Sequence, residues 1–451
     1  MAQVLYTVNI IEVYKVAPPH GSAREISLPL TFFDLLWLKL PPVQYLYFFK
    51  IPTPTPDLKT SFFLSVLPRL KHSLSLTLHN FLPLAGNIIW PQSSHKPLVK
   101  YIEGDVVSLT VGVSEADFNY LSGNNLCQAV ECHPLIPKLA VSRDRAAVFA
   151  VQVTLFPNCG FCIGIATHHA LLDGRSFNSF IKAWSHVCKL DEQVSSLPLE
   201  LKPFYDRSVM KYPSHLDEFY SKIYSDEPNN RSFMPWELQV PPNSFRGVFE
   251  LTGANIEKLR QLVEQEQPIH MSSFSIACAY TWVCLVKAEE ISEKKVILIF
   301  ARDCRFRLEP PIPTTYIGNC LRATVAIAET KEIMGKEGFV VAVKAISEAI
   351  KAGLENGAIN GAENEILSLV ALQSEGKLYN IAGSNRFEFH KTDFGWGKPI
   401  KVDMASIDRT DGGIVVLDSR NGDGGVQIGI VSKKHHLEVF SSLFANGIQC
   451  V

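Results

Sequence analysis

The chain has 451 residues, 47% hydrophobic and 20% charged, enough to bury more than one core. Its net charge of −2 supplies no overall basic field, which argues against nucleic acid or an anionic membrane surface as the partner. No apolar run reaches the roughly 20 residues of a membrane helix.

The opening stretch, MAQVLYTVNIIEVYKVAPP, lacks the basic, apolar and small-residue segments of a secretory signal. Residues 1–60 mix short β-like runs with proline-rich turns such as PTPTPD. Residues 61–79 carry apolar side chains at helical spacing, and FLPLAGNIIW (81–90) reads as a turn entering a strand. VVSLTVGV (106–113) and AVFAVQVTLF (147–156) predict strands. PNCG (157–160) is a turn, and GFCIGIAT (160–167) predicts a buried strand, so the two form a hairpin. Cys159 and Cys162 make a CxxC here, but no second pair at zinc spacing accompanies it. Buried, reduced thiols in a cytosolic protein are the expectation, with no metal. A helix is predicted over 176–190. Residues 191–242 have weak periodicity and several proline turns, and read as a crossover between two halves. The second half begins with a strand (245–252) and a helix (255–267). A long buried helix (272–290) and a strand (296–303) running into the arginine-rich ARDCRFR follow. After an amphipathic helix at 335–357, the last hundred residues read as strands alternating with Gly/Asp turns. The expected organisation is therefore 1–190, a connector over 191–242, and 243–451.

The chemistry concentrates where the apolar run GFCIGIAT ends in His168 and His169, with Asp173 four residues after His169. A histidine at the exit of a rigid strand suits a general base, because its ordinary pKa lies near 6.5 and the scaffold fixes its ring. Asp173 is placed to orient the imidazole or to pair with an arginine and hold the loop. The residues alone also allow a core turn whose imidazoles satisfy backbone carbonyls. There is no GxSxG elbow, so a covalent acyl-enzyme is not indicated. DFGWGKP (393–399) places two glycines around a tryptophan and reads as a tight loop with aromatic anchors.

HHALLDG (168–174) and DFGWGKP (393–399), in that order and about 220 residues apart, resemble the motif pair of the plant BAHD acyl-CoA-dependent acyltransferases. LTFFDLLWL (30–38), FLPLAGN (81–87), QVTLFPNCG (152–160), PFYDRSV (203–209) and IAGSNRFEF (381–389) agree, so the resemblance runs from about residue 5 to the C-terminus. PPIPTTYIGNC (310–320) resembles the YFGNC signature of the branch that acylates anthocyanins, flavonoid glucosides and phenolic glucosides, with Ile317 in place of phenylalanine.

The resemblance implies an α/β (α+β-like) fold of two similarly sized chloramphenicol-acetyltransferase-like domains. Each has a mixed sheet with flanking helices, and a long crossover joins them with a channel between. It implies His169 as the base, with His168 a neighbour, and Asp173 as structural support paired with Arg305 (Arg307 next). Asp393, Gly395, Trp396 and Gly397 are implied to form a loop remote from the chemistry. Ser384 and Asn319 are oxyanion candidates, Ser272 and Ser273 candidates for CoA contact, and Arg175 a candidate for a donor carboxylate.

The resemblance also implies no permanent cofactor: acyl-CoA is the co-substrate, and a glycosylated phenolic or flavonoid the acceptor, for a monomeric enzyme. Malonyl-CoA is the favoured donor and hydroxycinnamoyl-CoA the alternative, since 27 phenylalanines leave an aromatic-lined site open. A non-catalytic binding protein on the same scaffold is the reading from another class. It would be expected to have lost His169.

Overall fold

The computed structural model describes residues 6–51, 58–190, 196–225, 231–264, 271–410 and 412–449. Its centre is a six-stranded sheet in the order Asn9–Val16, Val107–Val113, Phe149–Phe156, Gly160–Thr167, Val43–Lys50 and Lys401–Met404. FAVQVTLF and GFCIGIAT are apolar without alternation because both lie inside this sheet, buried along their whole length. Antiparallel register pairs Gly160 with Phe156 and Thr167 with Phe149, as a tight hairpin requires.

A seven-stranded sheet is ordered Leu321–Glu329, Lys295–Asp303, Lys377–Gly383, Gly413–Asp418, Val426–Lys433, Ser244–Leu251 and Cys127–Gln128. It is mixed: Lys377–Gly383 runs parallel to both of its neighbours, and the remaining pairs are antiparallel. A small four-stranded sheet joins Glu25–Pro29, Leu98–Ile102, Asn87–Ile89 and Arg145–Ala147.

The larger sheets exchange strands. Lys401–Met404 closes the edge of the first, and Cys127–Gln128 that of the second.

The predicted helices form over Leu67–Asn80, Gly174–Leu190, Gly253–Glu264, Ser273–Glu289 and Gly338–Glu355. Residues 265–267 of one of them, the whole PTPTPD turn (52–57), and parts of the crossover (191–195, 226–230) lie outside the described residues. FLPLAGN begins with a short helical turn, Leu82–Ala85, rather than a simple turn.

The expectation for the last hundred residues needs correction, because they also contain the helices Glu365–Leu372 and Lys434–Gln449. In the latter, Leu437, Phe440 and Phe444 recur at helical spacing, are buried, and belong to the same core cluster as the long helix Ser273–Glu289. The crossover is not featureless either, since it contains the helix His215–Ile223. Among the described residues no helix is long and apolar enough to cross a membrane. The cysteines among the described residues form no disulfide, with Cys162 buried and Cys159 half-buried.

Candidate active site

The histidine strand delivers its two imidazoles into different surroundings. His168 is buried, and its Nδ1 accepts the Ala170 N–H at 3.2 Å. Burial, with the neighbouring His169, pushes its pKa down to about 3. It is a neutral core histidine. The His169 ring stacks on Trp37, with centroids 4.1 Å apart and planes 10° from parallel. Burial pushes its pKa below the ordinary value, opposed by its own backbone carbonyl, Asp173 and the Asn319 side chain.

Asp173 ends the histidine turn and begins the next helix. Its Oδ1 accepts the Ser176 N–H at 2.9 Å, an N-cap contact that satisfies a free amide of the first turn. Arg305, from the other half of the chain, grips the same carboxylate through two nitrogens, Nη1 to Oδ2 at 2.7 Å and Nη2 to Oδ1 at 3.0 Å. Cys320 N–H donates to Oδ2 at 3.2 Å. Four bonds fill the acceptor capacity of the carboxylate, so Asp173 has no lone pair left with which to orient His169. The reading in which it steers the imidazole directly gives way to a brace.

Arg305 is fully buried, and it also donates to Ser176 Oγ and to the carbonyls of Tyr316 and Gly318. One guanidinium therefore ties the cap of the histidine helix to the YIGNC turn. Arg307 instead donates to the Asp303 carbonyl.

Arg175 donates through Nε to Asp303 Oδ2 at 2.8 Å and is about one-third exposed. Asp303 Oδ1 meanwhile accepts Arg305 Nη1 at 3.2 Å. The charges thus alternate, Arg175–Asp303–Arg305–Asp173. Burial alone would raise the Asp303 carboxyl, but Arg305 and Arg175 hold it below the ordinary carboxylate range.

Asn319 sits fully buried under His169, and the role expected of it changes. Its Nδ2 donates to the His169 carbonyl at 2.8 Å and to Asp34 Oδ1 at 3.1 Å. Both amide hydrogens are engaged, which leaves none for an oxyanion. Ser384 lies in a turn where its Oγ accepts the Arg386 N–H at 3.2 Å, and Phe387 of the same turn packs on Gly174. Ser272 is the N-cap of Ser273–Glu289, its Oγ accepting the Ser275 N–H at 3.1 Å, and Ser273 is the first residue of that helix.

In DFGWG, the backbone N–H groups of Gly395 and Gly397 donate to Asp393 Oδ1, and Lys189 pairs with Oδ2. Both glycines have φ near +100° (105° and 94°), the region that favours glycine. Phe394 packs on Trp184 and Phe49, and Trp396 on Phe161. Phe161 is the second residue of the histidine strand and Thr167 its last, so about 20 Å of strand separates this loop from His168 and His169.

Sequence reasoning missed three participants: Trp37, Asp34 and Arg207. Their signals were a lone aspartate and a tryptophan inside the apolar run FFDLLWL, and an arginine following the aspartate of PFYDRSV.

A two-layered α/β scaffold with a histidine turn braced from the opposite half defines an acyltransferase-type fold. Vinorine synthase has the same fold, at a TM-score of 0.71 and 19% identity, covering 97% of this chain and 98% of that one. The family model described as Transferase family matches residues 6–446, and the chain belongs to this family, the BAHD acyltransferases. It is 41% identical to phenolic glucoside malonyltransferase 2 of Arabidopsis thaliana over 98% of this chain and 99% of that protein. It is 36% identical to agmatine coumaroyltransferase of the same plant, over 97% and 98%. The chain is thus an acyl-CoA-dependent acyltransferase, with acyl-CoA as co-substrate.

Proposed function

We propose that this enzyme transfers a malonyl group from malonyl-CoA to a hydroxyl of a phenolic, flavonoid or anthocyanin glucoside. The observation that carries the substrate reading is the 41% identity, over almost the whole chain, to a phenolic glucoside malonyltransferase.

His169 is the general base. Its Nε2 takes the proton of the acceptor hydroxyl as that oxygen attacks the thioester carbonyl. The tetrahedral oxyanion collapses, and the imidazolium returns the proton to the departing CoA thiolate. Transfer is direct. The thiol nearest the brace, Cys320, has its pKa pushed far up by burial, which disfavours the thiolate a covalent intermediate would need. The lowered pKa of His169 keeps the base neutral at working pH. Ser384 is the remaining candidate for the oxyanion, and the start of the Ser273–Glu289 helix, with Ser272 and Ser273, for the CoA moiety. Arg175 meets the malonyl carboxylate in this reading, as a second anion beside Asp303.

That shared position of Arg175 favours a second reading, transfer of a hydroxycinnamoyl group, because Asp303 already pairs with its charge. Agmatine coumaroyltransferase lies within 5 points of identity of the malonyltransferase.

The test is a matrix of malonyl-, acetyl-, coumaroyl-, caffeoyl- and feruloyl-CoA against phenolic and anthocyanin glucosides, read by mass spectrometry and CoA release. Malonyl products are expected. His169→Ala should lose ~10²–10⁴-fold of the rate, and the acid limb of the wild-type profile should lie below pH 6.5. Coumaroyl products alone would select the second reading. A fully active His169→Ala enzyme would remove the general-base assignment.

A further inference from the structure

Because Asp173 is saturated, His169 lacks the carboxylate that ordinarily fixes the tautomer of a catalytic histidine. A second set of groups occupies that place. Nδ1 of His169 and Oδ1 of Asn319 are both closed off from solvent, and neither has a hydrogen-bond partner. The Asn319 side chain and the His169 carbonyl are the hydrogen-bonding groups that favour the charged ring.

The orientation of the Asn319 amide is dictated from behind. Asp34 offers a carboxylate and His169 a carbonyl, acceptors only, and Nδ2 serves both. The Asn319 backbone N–H donates to the same Asp34 Oδ1 at 2.8 Å. Asp34 is itself held by the Thr31 N–H and hydroxyl, which donate to Oδ2 at 3.0 and 2.8 Å. The Arg207 guanidinium, 3.8 Å from Oδ2, balances its charge. Flipping the amide would set Oδ1 against a carboxylate, so Oδ1 is the atom left for the imidazole. Both hydrogen-bonding groups that favour the charged ring, Asn319 Oδ1 and the His169 carbonyl, are therefore acceptors.

We propose that Asp34 and Asn319 are a positioning pair that locks His169 as the Nδ1–H tautomer and so leaves the Nε2 lone pair free to act as base. The proposal rests on the general-base reading of His169. Asp34 polarises the amide, and Asn319 Oδ1 meets Nδ1–H most strongly as the ring becomes imidazolium, the state formed during transfer. Neither residue touches the reacting atoms.

Selective ¹⁵N labelling of the 13 histidines reads the tautomer directly, with the His169 signal assigned by its loss in His169→Gln. At about pH 8, above the ordinary histidine range, the wild-type ring is expected to carry its proton on Nδ1. Asn319→Ala should move the proton toward Nε2 and lower kcat by ~10²-fold or more, with the KM for acyl-CoA unchanged. Asp34→Asn keeps an amide oxygen for the Asn319 N–H and Nδ2 but removes the negative charge that polarises the amide. It should lower kcat less than Asn319→Ala and leave the proton on Nδ1. A wild-type His169 protonated on Nε2 overturns the proposal without recourse to any variant. So does a folded Asn319→Ala enzyme with unchanged kcat. Full turnover by His169→Gln would instead sink the base assignment, while the tautomer measurement would still decide whether Asn319 positions the ring.

Discussion

His168 and His169 share one turn, yet the first is held neutral by burial at a pKa of about 3, against the ordinary 6.5. A depressed histidine pKa means that the unfolded chain takes up a proton the native state refuses. The stability from His168 is therefore complete above pH 6.5 and is lost as pH falls from there toward 3, by ~1.4 kcal/mol per pH unit. His168→Asn keeps an acceptor for the Ala170 N–H and removes the titration. Its urea midpoint, followed across this range, is expected to fall less steeply than that of wild type, and an identical slope would contradict the assignment. The spacing from His169 to Asp173 was readable in the sequence as a unit. The resemblance implied its pairing with Arg305; that Asp173 also caps a helix and has every lone pair engaged was not readable, because a carboxylate's free lone pairs are countable only once all of its donors are in place.

At the scale of elements, the YIGNC turn is built around close approach. Gly318 has φ of +155°, and a Cβ there would come within 2.0 Å of Arg207 Nη1 and 2.7–2.8 Å of the Tyr316 ring and hydroxyl. Arg207 lies over that ring, its guanidinium 4.7 Å from the centroid, and next to Asp34. Gly318→Ala should thus cost about 1–3 kcal/mol by overpacking. By displacing Arg207 it should also lower kcat more than the KM for acyl-CoA. Thermal melting and initial rates check the two effects separately. Strands and helices with strong periodicity were legible in the sequence: the FAVQVTLF–GFCIGIAT hairpin lies where its apolar runs and turn placed it. The helix Lys434–Gln449 carried the same kind of signal but was hidden among the Gly/Asp turns before it. The π-helical turn Phe62–Val66 had no sequence signal to betray it.

Across the whole molecule, the two large sheets are joined by more than a connector. Arg246, buried on the Ser244–Leu251 strand of the second sheet, pairs with Asp403 on the edge strand of the first and with Asp408 just beyond it. It also donates to the Met404 carbonyl at 3.0 Å. Burial would lower the guanidinium pKa, and the two carboxylates raise it instead. Arg246→Ala leaves Asp403 to Lys401, 3.5 Å away, and Asp408 to His133 at 3.0 Å, and breaking a buried pair by removing one partner typically costs about 3–5 kcal/mol. A drop of that size in urea denaturation, with the remaining folded enzyme active, is expected; wild-type stability would show that the cluster does not hold the sheets together.

By itself, the sequence determined the helices and strands of strong periodicity and the family, and it singled out His169 as the candidate base. These rest on local spacing and on motifs a few residues long. The tertiary structure decided who holds whom. The resemblance implied the Asp173–Arg305 pair, 132 residues apart, but not Ser176 and Cys320 on the same carboxylate, nor Asn319 on the His169 carbonyl from 150 residues away. Such pairings follow from which strands lie side by side and which turns face each other across the two sheets. Donor and acceptor counts at a buried carboxylate or amide, unlike periodicity, exist only after the chain has closed around them.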